Sequence, residues 1–72
     1  MYTKELLPIL QEFKGKKSLI RLMDGEIISG AVGELYNTNS ILQNEKPKVS
    51  IVDDANKKII VFISNINALR LA

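Results

Sequence analysis

The 72-residue sequence contains no cysteine, no histidine and no tryptophan. Without cysteine the chain can form neither disulfides nor thiolate metal sites, and this absence fits a reducing compartment such as the cytoplasm, where we expect the protein to act. The sequence also lacks a spaced pair of carboxylates, so it has few groups suited to proton transfer. We therefore expect no enzymatic activity, no cofactor and no metal site.

Long apolar runs are missing as well. None approaches the roughly 18 residues that span a bilayer, and the sequence opens with no signal-peptide pattern, so we expect no membrane association. The net charge of +2 only weakly favours an anionic partner. Hydrophobic residues make up 46% of the chain, more than so short a sequence easily buries by itself. The composition indicates one domain, 1–72, that buries apolar surface against other copies of itself.

A β-hairpin is predicted in the stretch 18–35. Asp24-Gly25 stands between two apolar runs and predicts a two-residue type I′ turn, in which both residues have positive φ. Ile20 and Leu22 share one face of the first strand, opposite Leu19, Arg21 and Met23, which is the two-residue period of a half-buried strand. In the second strand Ile28, Gly30 and Val32 share one face.

The second strand of this hairpin breaks its own alternation. Leu35 lies three positions after Val32, so it would point to the opposite face of a regular strand. Gly30 and Gly33 favour a bulge or sharp bend, which would curl the sheet, over a simple strand end at Gly33.

A short amphipathic helix is predicted at 3–14. Its apolar residues recur at helical spacing, and Gly15 follows as a stop signal. Pro8 implies either that the helix begins near Leu7 or that it is kinked. We expect the helix to cover an open end of the curled sheet. The apolar positions are Leu6, Leu7, Leu10 and Phe13.

The second half of the chain predicts three more strands. Pro47 either interrupts the third strand or lies at an unpaired edge. Asp53-Asp54 is interpreted as part of a tight turn rather than as a metal or acid-base site. The run 59–63 does not alternate, which predicts burial of both faces, one of them against the helix or a neighbouring subunit. The last strand, 66–71, alternates and should be an open sheet edge unless another chain covers it.

Two motifs resemble those of the Sm-like family, which includes the Sm, LSm and Hfq proteins. The first runs Ile20-x-Leu22-x-Asp24-Gly25 and continues as Gly30-x-Val32-x-x-Leu35, and the second covers 61–69. Small phage-type members look most similar. The resemblance implies a mainly β fold: a strongly bent five-stranded antiparallel sheet, 17–71, forming a small open SH3-like barrel after the helix at 3–14.

The resemblance also implies assembly into rings of five to seven subunits. In these rings the strand at 59–63 pairs with the last strand of the neighbour. The expected interface residues are Ile59, Ile60, Val61, Phe62, Ile63, Ile66, Ala68, Leu69 and Leu71.

Sm-like rings bind single-stranded RNA through two loops, and this chain departs from the family there. Tyr36 and Ser40 replace the usual aspartate and asparagine of the first loop, and Ser64 replaces the basic residue of the second. A rearranged site would use a stacking ring and amides. Its expected residues are Tyr36, Asn37, Thr38, Asn39, Ser40, Ser64 and Asn65. Weaker phosphate contacts are expected from Lys16, Lys17, Lys57 and Lys58.

Two functions follow from this sequence. The first is a ring-forming RNA chaperone or regulator without catalysis. The alternative is an oligomeric structural or protein-interaction scaffold that has lost the usual RNA site. Tyrosine in a strand is more often a packing residue than a ligand contact, so Tyr36 alone does not decide between them.

Overall fold

The computed structural model describes residues 3–36 and 46–72. It contains one α-helix, five strands and a short 3₁₀ helix between the last two strands. Four predicted site residues, Asn37, Thr38, Asn39 and Ser40, lie outside the described residues. The elements are α1 (Thr3–Phe13), β1 (Lys17–Leu22), β2 (Ile27–Tyr36), β3 (Lys48–Asp53), β4 (Lys58–Phe62), η1 (Ile63–Asn65) and β5 (Ile66–Leu71).

The five strands form one antiparallel sheet in the order β4-β3-β2-β1-β5. β4 and β5 are therefore its two edges. This confirms the predicted mainly β fold with an N-terminal helix, and the arrangement is consistent with the Sm-like topology. Within the described ranges, no helix has the length and apolar character that crossing a bilayer requires.

The helix contributes to the core through the face that its sequence pattern predicts. Leu6 and Leu10 are fully buried, and Leu7 and Phe13 pack against the core at its margin. The helix begins at Thr3 with the exposed Pro8 inside it, so the predicted alternative of a start near Leu7 is wrong. Packing of a whole apolar face outweighs the one backbone hydrogen bond that proline cannot donate.

Gly15 ends the helix as predicted. Its φ of 80° lies in the left-handed region that suits glycine after a helix. The Gly15 N–H donates a hydrogen bond of 2.8 Å to the Val32 carbonyl, which ties the helix end to β2.

The turn between β1 and β2 differs from the prediction. Gly25 has a φ of 92°, but Asp24 does not have the positive φ that a type I′ turn requires. Leu22 bonds through its N–H to the Glu26 carbonyl, at 2.8 Å, so three residues form the loop. The Asp24 carboxylate accepts a 2.9 Å bond from the Glu26 N–H and stabilises this longer loop. The prediction of a two-residue type I′ turn is therefore wrong.

β2 contains the irregularity that its sequence predicts. Val32 pairs with Ile51 and Leu35 with Val49, so two residues of β2 lie opposite Ser50 alone. This is a β-bulge of one extra residue, and it returns Leu35 to the core side of the sheet. The bend is confirmed, and the alternative of a strand end at Gly33 is wrong.

A side chain at either glycine of β2 would clash with β3. A Cβ atom on Gly30 would lie 2.4 Å from the Val52 carbonyl oxygen, and one on Gly33 would lie 2.5 Å from Ser50 Oγ. At Gly30 the conflict is with the backbone of β3, whereas at Gly33 it is mainly with the Ser50 side chain.

β5 departs from the strict alternation that its sequence suggests. Leu22 pairs with Ile66 but Arg21 pairs with Ala68, so Asn67 is an extra residue. Because of this second bulge, Ile66 and Leu69 both contact the core. The open sheet edge predicted here is present in the single chain.

β4 buries only one face in the single chain. Val61 is buried, whereas Ile60 and Phe62 are 50% and 51% exposed. The predicted burial of this outer face against the helix is wrong, since α1 packs mainly on β2 and η1. Its burial against a neighbouring subunit stays a prediction.

Candidate ligand-binding surface

The described site residues from the two predicted loops are Tyr36 at the end of β2 and Ser64 and Asn65 in η1. Tyr36 ends β2 and pairs with Lys48, which in turn pairs with Phe62 at the end of β4. Phe62 leads directly into η1, which contains Ser64 and Asn65. The pairing of β3 with both β2 and β4 thus places Tyr36 and Phe62 in one row across three strands, and Ser64 and Asn65 follow Phe62 in the chain.

The short helix η1 is held by backbone bonds on two sides. The Ile63 N–H donates to the Pro47 carbonyl at 3.1 Å, and the Met23 N–H donates to the Asn65 carbonyl at 2.9 Å. Pro47 stands immediately before β3 rather than within it. The buried Ile63 anchors the turn, while Ser64 and Asn65 are exposed. Their side chains are therefore presented to solvent on a fixed backbone.

Tyr36 supplies an aromatic face beside a cation. Its side chain is at the border of exposure, at 36%, and the Lys58 ammonium lies 5.9 Å from the ring centroid. This is near the limit of a cation–π interaction. The outer face of β4 next to it carries Lys58, Ile60 and Phe62, which alternate with inward residues. The ring and a positive charge are thus available on one exposed surface.

For the other three lysines predicted to contact phosphate, no contact with the Tyr36 ring is found among the described residues. Lys17 forms an ion pair with Asp54, with Nζ 3.2 Å from Oδ1. Lys16 and Lys57 are exposed, the first just before β1 and the second in the turn between β3 and β4. Of the four lysines, Lys58 is the one that reaches the Tyr36 ring.

The paired aspartates serve the turn between β3 and β4, as predicted. Asp53 Oδ1 accepts bonds from the N–H groups of Ala55, at 3.0 Å, and Lys57, at 2.8 Å. Asn56 has a φ of 63°, a conformation that asparagine tolerates. In the part of the chain that the structure describes, no cluster of three acidic residues is arranged to hold a metal ion.

A second surface feature was missed at the sequence level. A groove of about 400 Å³ lies on the outer side of the sheet, across β1, β2 and β5. The sequence feature that could have indicated this groove is the position of the two arginines of the chain, since both lie in strands and are exposed there. The groove is lined by Leu19, Arg21, Ile27, Ala68, Leu69 and Arg70.

Comparisons of the chain with protein-family models, with curated proteins and with solved structures find no match. The described topology, a helix followed by five antiparallel strands, is consistent with that of the Sm-like proteins.

Proposed function

We propose that this chain is an Sm-like module that assembles with copies of itself into a ring of five to seven subunits and binds single-stranded RNA without catalysis, as an RNA chaperone or regulator. The observation that carries the proposal is the position of β4 and β5 at the two open edges of one sheet. These are the two strands that pair between neighbours in the family that the sequence resembles.

Exposed apolar side chains support assembly through these edges. Ile60 and Phe62 on β4, and Leu71 on β5, are among the most exposed large hydrophobic residues described. Burying the exposed half of each side chain contributes about 1 kcal/mol per residue. Pairing of the edge backbones also satisfies donors and acceptors that otherwise face water.

The surface at Tyr36 supports single-stranded RNA as the ligand. A stacked base contributes about 1 to 3 kcal/mol on an aromatic ring, and the Asn65 amide can both donate to and accept from base edges. Lys48, between Tyr36 and Phe62, and Lys58 are the nearby cations. With two phosphate contacts, log K should fall with log salt at a slope of only about −1.4.

Assembly is tested by light scattering after size exclusion, with Ile60→Glu and Phe62→Glu against the control Met23→Glu. All three sites are exposed apolar positions in the single chain. The wild type and the control should have the mass of five to seven subunits, and the two β4 variants should be single chains with unchanged circular dichroism. A single-chain wild type at high concentration would rule out the ring.

RNA binding is tested by anisotropy of labelled oligo-U and oligo-A at two salt concentrations. Tyr36→Ala should weaken binding by about tenfold or more, because the stacking plane is lost. Tyr36→Phe should bind like the wild type, and Asn65→Ala should reduce the preference between the two bases. If the assembly binds neither RNA, or binds both RNAs and all variants equally, the scaffold function would be supported instead. The absence of a basic residue from η1 favours that alternative.

A further inference from the structure

Both arginines of the chain lie next to each other on the outer face of the sheet. The other eight basic residues are all lysines. Arg21 on β1 pairs with Ala68, and Arg70 on β5 pairs with Leu19. The two arginines are therefore diagonal neighbours on adjacent strands, roughly 7 to 8 Å apart. Arginine differs from lysine in presenting a planar fork that binds an oxyanion through two bonds.

The groove between them combines charge with an apolar floor. Leu19, Ile27 and Ala68 line it together with the two arginines. Ile27 is 64% exposed. The ion pairs found among the described residues involve Lys14 and Lys17, so neither guanidinium is bound there by a carboxylate.

The character of this groove favours a protein partner over a nucleic acid. Arginine is enriched at the centres of protein interfaces, whereas lysine is depleted there. The lining has no aromatic ring on which a base would stack. Asp24 and Glu26, in the turn beside Ile27, would repel a polyanion that extended in that direction.

The β4 strand of a second copy does not supply the required charge. β4, the strand proposed to pair with β5 of a neighbour, has the sequence KIIVF and contains no acidic residue. It would bring Lys58 rather than a carboxylate to the arginine side of the sheet.

We propose that the groove is a docking site for an extended segment of another protein with the pattern acidic-x-acidic-x-apolar. Alternate side chains of an extended segment point the same way and lie about 6.5 to 7 Å apart, which matches the diagonal between the arginines. The two carboxylates bind Arg70 and Arg21, and the apolar side chain packs on Ile27, which is paired with Arg21 on β2. This site is separate from the proposed RNA surface.

The probe is a fluorescein-labelled peptide, GEGEGLG, titrated with the full-length assembly. The matched peptide GQGQGLG removes only the two charges. Variants Arg21→Gln and Arg70→Gln should each weaken binding about tenfold, and Arg21→Lys should weaken it as well, because lysine keeps the charge but not the fork. Lys46→Gln, the same change of charge at an exposed residue outside the groove, should bind like the wild type, and thermal melts confirm that each variant is folded.

Three results would overturn the proposal. Equal binding of both peptides, or no binding at millimolar protein, would show that the groove does not select carboxylates. Equal losses in Lys46→Gln and Arg21→Gln would indicate general attraction to a basic surface. Displacement of the peptide by oligo-U in a Tyr36→Ala background, with the same dependence on both arginines, would assign the groove to nucleic acid instead.

Discussion

The bulge in β2 predicts a strong energetic coupling between Gly33 and Ser50. Ser50 is almost fully buried, and its Oγ accepts a 2.8 Å hydrogen bond from the Glu34 N–H, the group that the bulge removes from regular pairing. Ser50→Ala leaves this N–H without its partner, at a cost of about 1 to 3 kcal/mol. Gly33→Ala places a Cβ 2.5 Å from the same Oγ, which must move and break the same bond.

The double variant Gly33→Ala/Ser50→Ala should therefore be more stable than the sum of the single effects allows. The hydrogen bond is lost only once, and the steric conflict with Oγ disappears, so the coupling should be about 1 to 2 kcal/mol. Without Oγ, the closest remaining atom to the new Cβ is the Ser50 carbonyl oxygen at 3.2 Å, which needs only a small adjustment.

The assay is urea unfolding followed by circular dichroism, at one fixed protein concentration because the proposed assembly would add to apparent stability. The control cycle combines Ser50→Ala with Gly25→Ala in the turn between β1 and β2, which should be additive within about 0.5 kcal/mol. Strict additivity of Gly33→Ala and Ser50→Ala would refute the argument that the bulge depends on their shared contact.

Three further predictions use the same urea assay. Leu10→Ala should cost about 2 to 5 kcal/mol, because Leu10 is fully buried, and a cost below 1 kcal/mol would mean that the helix is not part of the core. Gly25→Ala should cost about 1 kcal/mol because its φ is 92°, and no loss would contradict the left-handed position. Asp53→Ala should lower the free energy of unfolding by about 1 to 2 kcal/mol, because two hydrogen bonds of the turn are lost. Asp54→Ala breaks only an exposed ion pair with Lys17 and should change that free energy by no more than about 0.5 kcal/mol. Equal losses in the two variants would contradict the turn geometry.

The features of this fold that could be predicted from sequence are those set by neighbours along the chain. The two-residue period around Ile20 and Ile28 predicted half-buried hairpin strands, and the displaced Leu35 together with Gly33 predicted the bulge. Both depend on the two-residue period of a strand, which a single displaced apolar residue disturbs visibly.

The type of the hairpin turn could not be predicted in the same way. The Asp-Gly pair suits positive φ at two positions, but the Asp24 side chain bonds to the Glu26 N–H instead and stabilises a loop one residue longer. The two loops differ by little energy, so one side-chain bond decides between them.

The surfaces depend on pairing between distant strands, and for that reason their prediction was incomplete. The sequence put Tyr36, Ser64 and Asn65 in one site by resemblance alone, and the row from Tyr36 through Lys48 to Phe62 is the physical link. The arginine groove requires β1 to lie beside β5. The Asn67 bulge then sets which residue of β5 faces Arg21, and no local pattern encodes that pairing.

The difference between the two edge strands has a consequence for how copies of this chain would accumulate. An association of β4 with β5 leaves one strand of each kind unpaired at the ends of every incomplete oligomer, and those ends expose backbone donors together with Ile60 and Phe62. In the proposed ring, the contact that closes the assembly would form between two copies that already belong to the same oligomer. That interface would therefore be gained without the entropy cost of immobilising a further copy. Partial oligomers would therefore be scarce, and dilution would convert complete assemblies into single chains in a sharp, cooperative transition.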